Sequence, residues 1–271
     1  MLALGCVAPG IAAALELQGP ATQGGLLVGR VDSGARVSLD GRAVRVAPDG
    51  RFLIGFGRDH APSARLTVTG ADGRVTHRAL AIAQRRYDIQ RIDGLPPRMV
   101  TPDAETLRRI EDDRAQIRAV RAIETPELLF GARFAWPAAG PVSGVFGSQR
   151  VLNGEPRAPH LGLDIAAPEG APVHAAAAGR VALVHQDMVL TGKTLVLDHG
   201  HGLTTVYIHL SDILVRPGER VAEGAPIGRV GKTGRASAAH LHWGVYWFDV
   251  ALDPGLLVDG SPEPARAETK N

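Results

Sequence analysis

Turn-forming pairs cut this chain into pieces too short for a helical fold. Within residues 15–92 Asp-Gly occurs at 40–41, 49–50 and 72–73, each time between stretches in which apolar and polar residues alternate. A period of two puts one set of side chains on one face of a strand, and Asp-Gly suits a tight hairpin turn. "GLLVGRVDSGARVSLDGRAVRVAPDGRFLIGFG" and "ARLTVTGADGRVTHRALAIA" therefore read as short antiparallel strands, and residues 15–92 as a small β-sandwich or barrel. The punctuation continues, with 33 Gly and 19 Pro in the whole chain. From Phe134 on, short apolar runs alternate with turns, notably near Gly192-Lys193 and from Gly200 to Gly202. The pattern predicts a mainly β protein.

One stretch breaks the rhythm. "DGLPPRMVT" at 93–101 reads as a proline-rich linker. Thr101, Pro102 and Asp103 then read as a helix start: a capping hydroxyl, proline at the first helical position and an acid in the first turn. The helix that follows carries Leu107, Ile110, Ile117 and Val120 near one face, with Glu105 and Arg109 spaced to pair. The expected organisation is a signal-like segment at 1–14, a small β-sandwich-like domain at 15–92 and a linker with a charged helix at 93–130. A second β domain at 131–258 and a polar, disordered tail at 259–271 complete it.

The formal net charge is only +2 and is spread along the chain, so no basic field points to nucleic acid. The opening "MLALGCVAPGIAAALELQG" resembles an export signal with small residues at Ala12-Ala13-Ala14, although it lacks a basic start. It is too short to span a bilayer. Cys6 is the single cysteine, so no internal disulfide forms, and the residues before it make a poor lipid-attachment signal. The expected location is periplasmic or secreted, without a lipid anchor.

The chemistry lies in the histidines of the second half. His240 and His242 flank Leu241 in a strand-like run and so share one face. "PHLGLDIAAP" sets His160 four residues before Asp164, and Gly162 between them argues for a loop running into a strand. "TVYIHLSD" places His209 at a strand end. Two imidazoles and one carboxylate form a common catalytic zinc set that keeps a fourth position open, and two more imidazoles remain for proton work. "DHGHG" at 198–202 is also His-x-His with an acid, but its glycines make it a turn. His60, His77, His174 and His185 belong to no constellation and read as surface or strand residues.

Together, His160-x-x-x-Asp164, Tyr207-x-His209 and His240-x-His242 resemble the lysostaphin-type (LytM-like) zinc endopeptidases of bacterial cell-wall metabolism. "GLDIAAPEGAPVHAAAAGRV" is similar to that family's core strand pair, and "VRPGERVAEGAPIGRVGKTG" to its lipoyl-like hairpin, so the resemblance covers about 134–255. It implies an antiparallel β catalytic domain. It further implies one Zn2+ ion held by His160, Asp164 and His242, with His209 and His240 as catalytic histidines that do not bind the metal. The reaction implied is hydrolysis of peptidoglycan cross-links with a metal-bound water as nucleophile, the stem peptides being the partner. An envelope protein partner through the N-terminal domain is a further expectation. Tyr207, two residues before His209, and Asn153, in the loop before the ligands, are candidate substrate contacts.

The sequence departs from the family at Ala238-Ala239, where Gly-Pro commonly precedes His-x-His. Some relatives carry an inhibitory segment whose asparagine caps the zinc; no asparagine precedes Asn153 in this chain. The alternative function is a non-enzymatic LytM-like regulator that activates a separate cell-wall amidase. Such members usually lack ligands, whereas all five positions are present here.

Overall fold

The computed structural model describes residues 15–92, 103–131, 133–152 and 154–262. The signal-like segment, the proline-rich linker, most of the polar tail and Asn153 lie outside the described residues.

The fold is mainly β, with a single α-helix among the described residues. Seven strands come first: β1 Glu16–Gln18, β2 Leu26–Arg30, β3 Arg36–Leu39, β4 Arg42–Val44, β5 Arg51–Gly55, β6 Ser63–Thr69 and β7 Val75–Ala81. They form two antiparallel sheets, ordered β1-β2-β5 and β4-β3-β6-β7. Asp40 and Gly41, with φ of 47° and 86°, join β3 to β4, and Leu39 pairs with Arg42 across the turn. Left-handed backbone at both central residues is what a two-residue hairpin requires. β8, Ile89–Ile92, then leaves this module.

Helix α1 spans Ala104–Arg121. Its N-cap is Asp103, whose carboxylate accepts the Thr106 amide at 2.7 Å. The helix thus starts two residues later than the Thr101 cap expected from the sequence, because the carboxylate at 103 already satisfies a free first-turn amide. Of the expected apolar stripe only Ile110 is buried; Leu107 is 47% exposed. Arg109 turns to Asp187, 3.8 Å away, rather than to Glu105. No helix among the described residues is long and apolar enough to cross a membrane.

The remaining strands are β9 Val142–Gly144, β10 Gln149–Leu152, β11 Glu155–Pro156, β12 Leu163–Ala166, β13 Pro172–His174, β14 Gly179–Met188 and β15 Gly192–Asp198. They are followed by β16 Leu203–Leu210, β17 Asp212–Ile213, β18 Arg220–Val221, β19 Pro226–Arg229, β20 His240–Trp247 and β21 Val250–Leu252. An eight-stranded antiparallel sheet runs β18-β14-β15-β16-β20-β12-β9, with β21 also on β20.

Strand alternation gives this sheet two faces with different jobs. Leu241, Trp243 and Val245 of β20 point inward with Leu163 and Ile165 of β12, Leu195 and Leu197 of β15, and Tyr207 of β16. Truncating a buried Trp such as Trp243 to Ala costs about 3–5 kcal/mol. This interior is continuous with Phe52, Ile54 and Leu66 of the N-terminal strands. The opposite face of β20 carries His240, His242 and Tyr246, beside Asp164 of β12. Part of that face is covered by α1, whose Val120 packs with Val196, Val206, Ile208 and Tyr246.

Candidate metal centre

Register brings the first three groups together. Asp164 of β12 pairs directly with His242 of β20, so their side chains project side by side from the same face. His160 lies in the loop before β12 and leans back over both. Its Nε2 lies 3.0 Å from Asp164 Oδ1 and 2.9 Å from His242 Nδ1, and His242 Nδ1 lies 2.8 Å from the same oxygen. Among the described residues this is the one convergence of three or more His, Cys, Asp or Glu ligand atoms.

Two observations test whether these groups suit a divalent cation. The Val145 carbonyl lies 3.0 Å from His160 Nδ1 and assigns the ring proton to that nitrogen, which leaves a lone pair on Nε2. That nitrogen faces a carboxylate oxygen and a second imidazole nitrogen, so three potential ligand atoms converge on one point, where a divalent cation can take the place of the protons that otherwise bridge them. Space is reserved as well. A Cβ on Gly144 would sit 2.3 Å from Asp164 Oδ2, and one on Gly162 would sit 2.7 Å from His242 Nε2. Two nitrogens, one oxygen and an open side are the donor set of a catalytic zinc site.

Without a metal, charge is distributed unevenly over this triad. Burial opposes ionisation of Asp164, but its bonds with His160 and His242 hold the carboxyl far below the ordinary carboxylate range. Burial also disfavours a charged His160 ring, and the Asp164 carboxylate outweighs it, lifting that ring above its usual value. His242 is pushed down by burial, which Asp164 only partly offsets.

His209 reaches the same place by a backbone device. Along β16 it should share the inward face with Tyr207. Its φ of 63° breaks the alternation, and the pairing to β15 shifts at this point. The imidazole consequently stands beside His240, with ring centroids 4.8 Å apart, and 6.4 Å from the His242 ring. The Thr233 carbonyl lies 2.8 Å from His209 Nδ1, and the Ala238 carbonyl lies 2.9 Å from His240 Nδ1. Each carbonyl takes an Nδ1 proton, so each ring presents a bare Nε2. Burial pushes the His209 pKa down to about 4.

The same backbone twist corrects one sequence expectation. Tyr207 is fully buried, and its hydroxyl accepts the Ala176 amide at 3.0 Å and the Thr205 hydroxyl at 3.1 Å. It lies in the core and does not line the site, because His209, not Tyr207, leaves the regular strand geometry. The "DHGHG" stretch is a structural corner. His199 is buried against the Ala178 carbonyl at 2.7 Å and Thr205 at 2.8 Å, and His201 meets the Pro126 carbonyl at 3.1 Å.

Sequence reasoning missed the supports of the site. Val145, Thr233 and Ala238 act through backbone carbonyls, for which residue identity gives no signal. Gly144 and Gly162 act by absence of a side chain. Gly162 sits between two named donors and was open to that reading; Gly144 becomes visible only once β9 is paired with β12.

The region that carries these residues is similar to known proteins. The model of peptidase family M23 matches residues 158–254. The chain is similar to a crystal structure from Pseudomonas aeruginosa described as an M23 peptidase. The identity is 31%, the TM-score 0.69, and the match covers 88% of this chain and 95% of that one. It is 42% identical over 86 residues to the peptidoglycan DD-endopeptidase ShyA of Vibrio cholerae, covering 32% of this chain and 20% of the relative. It is 32% identical over 127 residues to the cell division protein DipM of Caulobacter vibrioides, covering 47% of this chain and 20% of the relative. The match thus spans about a fifth of the length of these curated relatives.

Proposed function

This chain belongs to peptidase family M23, and from that premise we propose that it is a zinc-dependent endopeptidase that hydrolyses peptide cross-links of bacterial peptidoglycan. The observation that carries the reading is the convergence of His160 Nε2, Asp164 Oδ1 and His242 Nδ1, with two further imidazoles alongside. In this reading those three atoms hold one zinc ion. Zinc in such a site polarises a carbonyl and makes water acidic enough to attack it near neutral pH.

The chain's own residues do the rest. Asp164 supplies the negative charge, and the Val145 carbonyl keeps the His160 lone pair aimed at the same point. Among the described residues no hydrogen bond engages His209 Nε2 or His240 Nε2, the latter lying 3.8 Å from Asp164 Oδ1, while both rings direct their Nδ1 to carbonyls. A bare Nε2 takes the proton of an attacking water; once protonated, it donates to the oxyanion or to the leaving amine. The His240 nitrogen and the His209 ring stand beside the donor triad, so in this reading one serves the attack and the other the departing group.

The substrate class comes from the relatives: ShyA is named a peptidoglycan DD-endopeptidase, and we carry that class of bond to this chain. Such a substrate places the protein in the periplasm or outside the cell. Digestion of purified sacculi, with the new termini identified by mass spectrometry, tests the reading. New amino and carboxyl termini within cross-links support it. A protein that binds no zinc and instead stimulates a cell-wall amidase is the regulator alternative.

A further inference from the structure

The His160 donor is tied to one short turn, and that turn is gripped by the N-terminal module. Three polar groups of His160 bind residues 145–148. Its ring Nδ1 meets the Val145 carbonyl at 3.0 Å, its amide donates to the Ser148 carbonyl at 2.8 Å, and its carbonyl accepts the Gly147 amide at 2.8 Å. The turn therefore sets where the imidazole points.

Contacts from far upstream hold the turn from its other side. Arg58 donates Nε–H to the Gly147 carbonyl at 2.8 Å, and its side chain is only 12% exposed. The Arg58 guanidinium stacks over Tyr87 at 4.5 Å, and the Tyr87 ring meets Phe146 edge-on at 6.2 Å. Gly147 is pressed against that ring: its φ is 85°, and a Cβ there would lie 2.0 Å from Tyr87 Cδ1. Arg85, its guanidinium 5.3 Å from the centre of the same ring, pairs with the buried Asp253 at 2.7 Å and donates to the Gln23 carbonyl at 3.2 Å. Directly after Tyr87, the Asp88 carbonyl accepts the Gln149 amide at 2.9 Å, and β8 runs parallel to β10 from Ile89↔Gln149 to Ile92↔Leu152. Parallel pairing between segments so distant in sequence is not a product of local hairpin folding.

We infer that Arg58 and Tyr87 of the N-terminal module are positioning residues for the His160 donor, so that zinc affinity depends on a stack outside the metal-binding strands. The inference rests on the proposed zinc site. Its physical content is that a donor atom must be held within a few tenths of an ångström, and groups behind a ligand typically carry about 10–100-fold in metal affinity. The hydroxyl of Tyr87 is buried without a hydrogen-bond partner among the described residues, so the ring and not the oxygen does the holding.

The test is zinc affinity of the full chain, read by competition of Zn2+ with a chromophoric chelator. Tyr87→Ala and Arg58→Met should each weaken binding by about 10–100-fold. Arg58→Met keeps the bulk of the side chain and serves if Tyr87→Ala does not fold. Tyr87→Phe should stay within about twofold of the wild type, since it keeps the ring against Gly147. Val68→Ala empties a site in the N-terminal sheets, 3% exposed, whose strand partners are Val37 and Thr76 rather than the residues of this stack; it should lower the unfolding temperature and leave affinity unchanged. Wild-type affinity in both Tyr87→Ala and Arg58→Met overturns the inference. So does an equal loss in Val68→Ala, which would make the effect one of general stability. A wild-type protein that binds no zinc overturns the metal-site reading itself, a result distinct from either.

Discussion

Gly144→Ala is the sharpest perturbation of the site that leaves every donor in place. Gly144 faces Asp164 across the β9–β12 pairing. An added methyl would sit 2.3 Å from Asp164 Oδ2, 2.9 Å from its Cγ and 3.1 Å from its Cβ. Real contacts of this kind do not fall below 3.0 Å, so the carboxylate must retreat by about 0.7 Å or the strands must part. Either movement drags Oδ1, which sits 3.0 Å and 2.8 Å from its two partner nitrogens. Metal–ligand distances tolerate only about ±0.2 Å, so the displacement is several times the allowance. The expected result is zinc affinity about 10–100-fold weaker, with an overpacking cost of about 1–3 kcal/mol. Chelator competition gives the first quantity and urea unfolding of the metal-free protein the second. Wild-type affinity in Gly144→Ala would refute the claim that Asp164 is held in place as a ligand by the space that glycine leaves.

Three further outcomes follow from other parts of the structure. His209→Ala should lower turnover about 10²–10⁴-fold and leave zinc content unchanged, as expected for a proton carrier beside the metal; loss of zinc in that variant would contradict the role. Tyr207→Phe should cost about 1–3 kcal/mol of stability, because the buried Ala176 amide loses its acceptor, with kcat unaltered; a fall in kcat without loss of stability would put the hydroxyl at the substrate. Burial holds the His199 pKa down to about 4 from 6.5, so between those values the unfolded chain takes up a proton that the folded one refuses. Stability should therefore fall as pH drops from 6.5 to 4, by about 3 kcal/mol from this residue, and His199→Gln should flatten that slope in urea titrations.

The sequence was readable where one residue fixes the local backbone. Asp40-Gly41 forms the hairpin turn that its residues favour, and Asp164 and His242 arrive side by side because both lie on strands whose alternation is regular. It misled where that regularity fails. Tyr207-x-His209 looks like a shared face, yet the left-handed backbone at His209 sends one ring to the cleft and the other to the core. Nothing in a histidine announces positive φ. The cap at Asp103 instead of Thr101 has a different cause: two residues so close in sequence both cap well, and the Asp103 carboxylate takes the Thr106 amide. Least visible was the grip of Arg58 and Tyr87 on the His160 turn, since parallel pairing of β8 with β10 joins segments that share no local pattern.

Diffraction from zinc-soaked crystals, recorded at the zinc absorption edge, tests the central claim most directly. The account predicts a single anomalous peak per chain, about 2.0–2.2 Å from His160 Nε2, Asp164 Oδ1 and His242 Nδ1, with His209 and His240 outside bonding distance. No peak there, or a peak bonded to His209 or His240 in place of one of those three atoms, would contradict it.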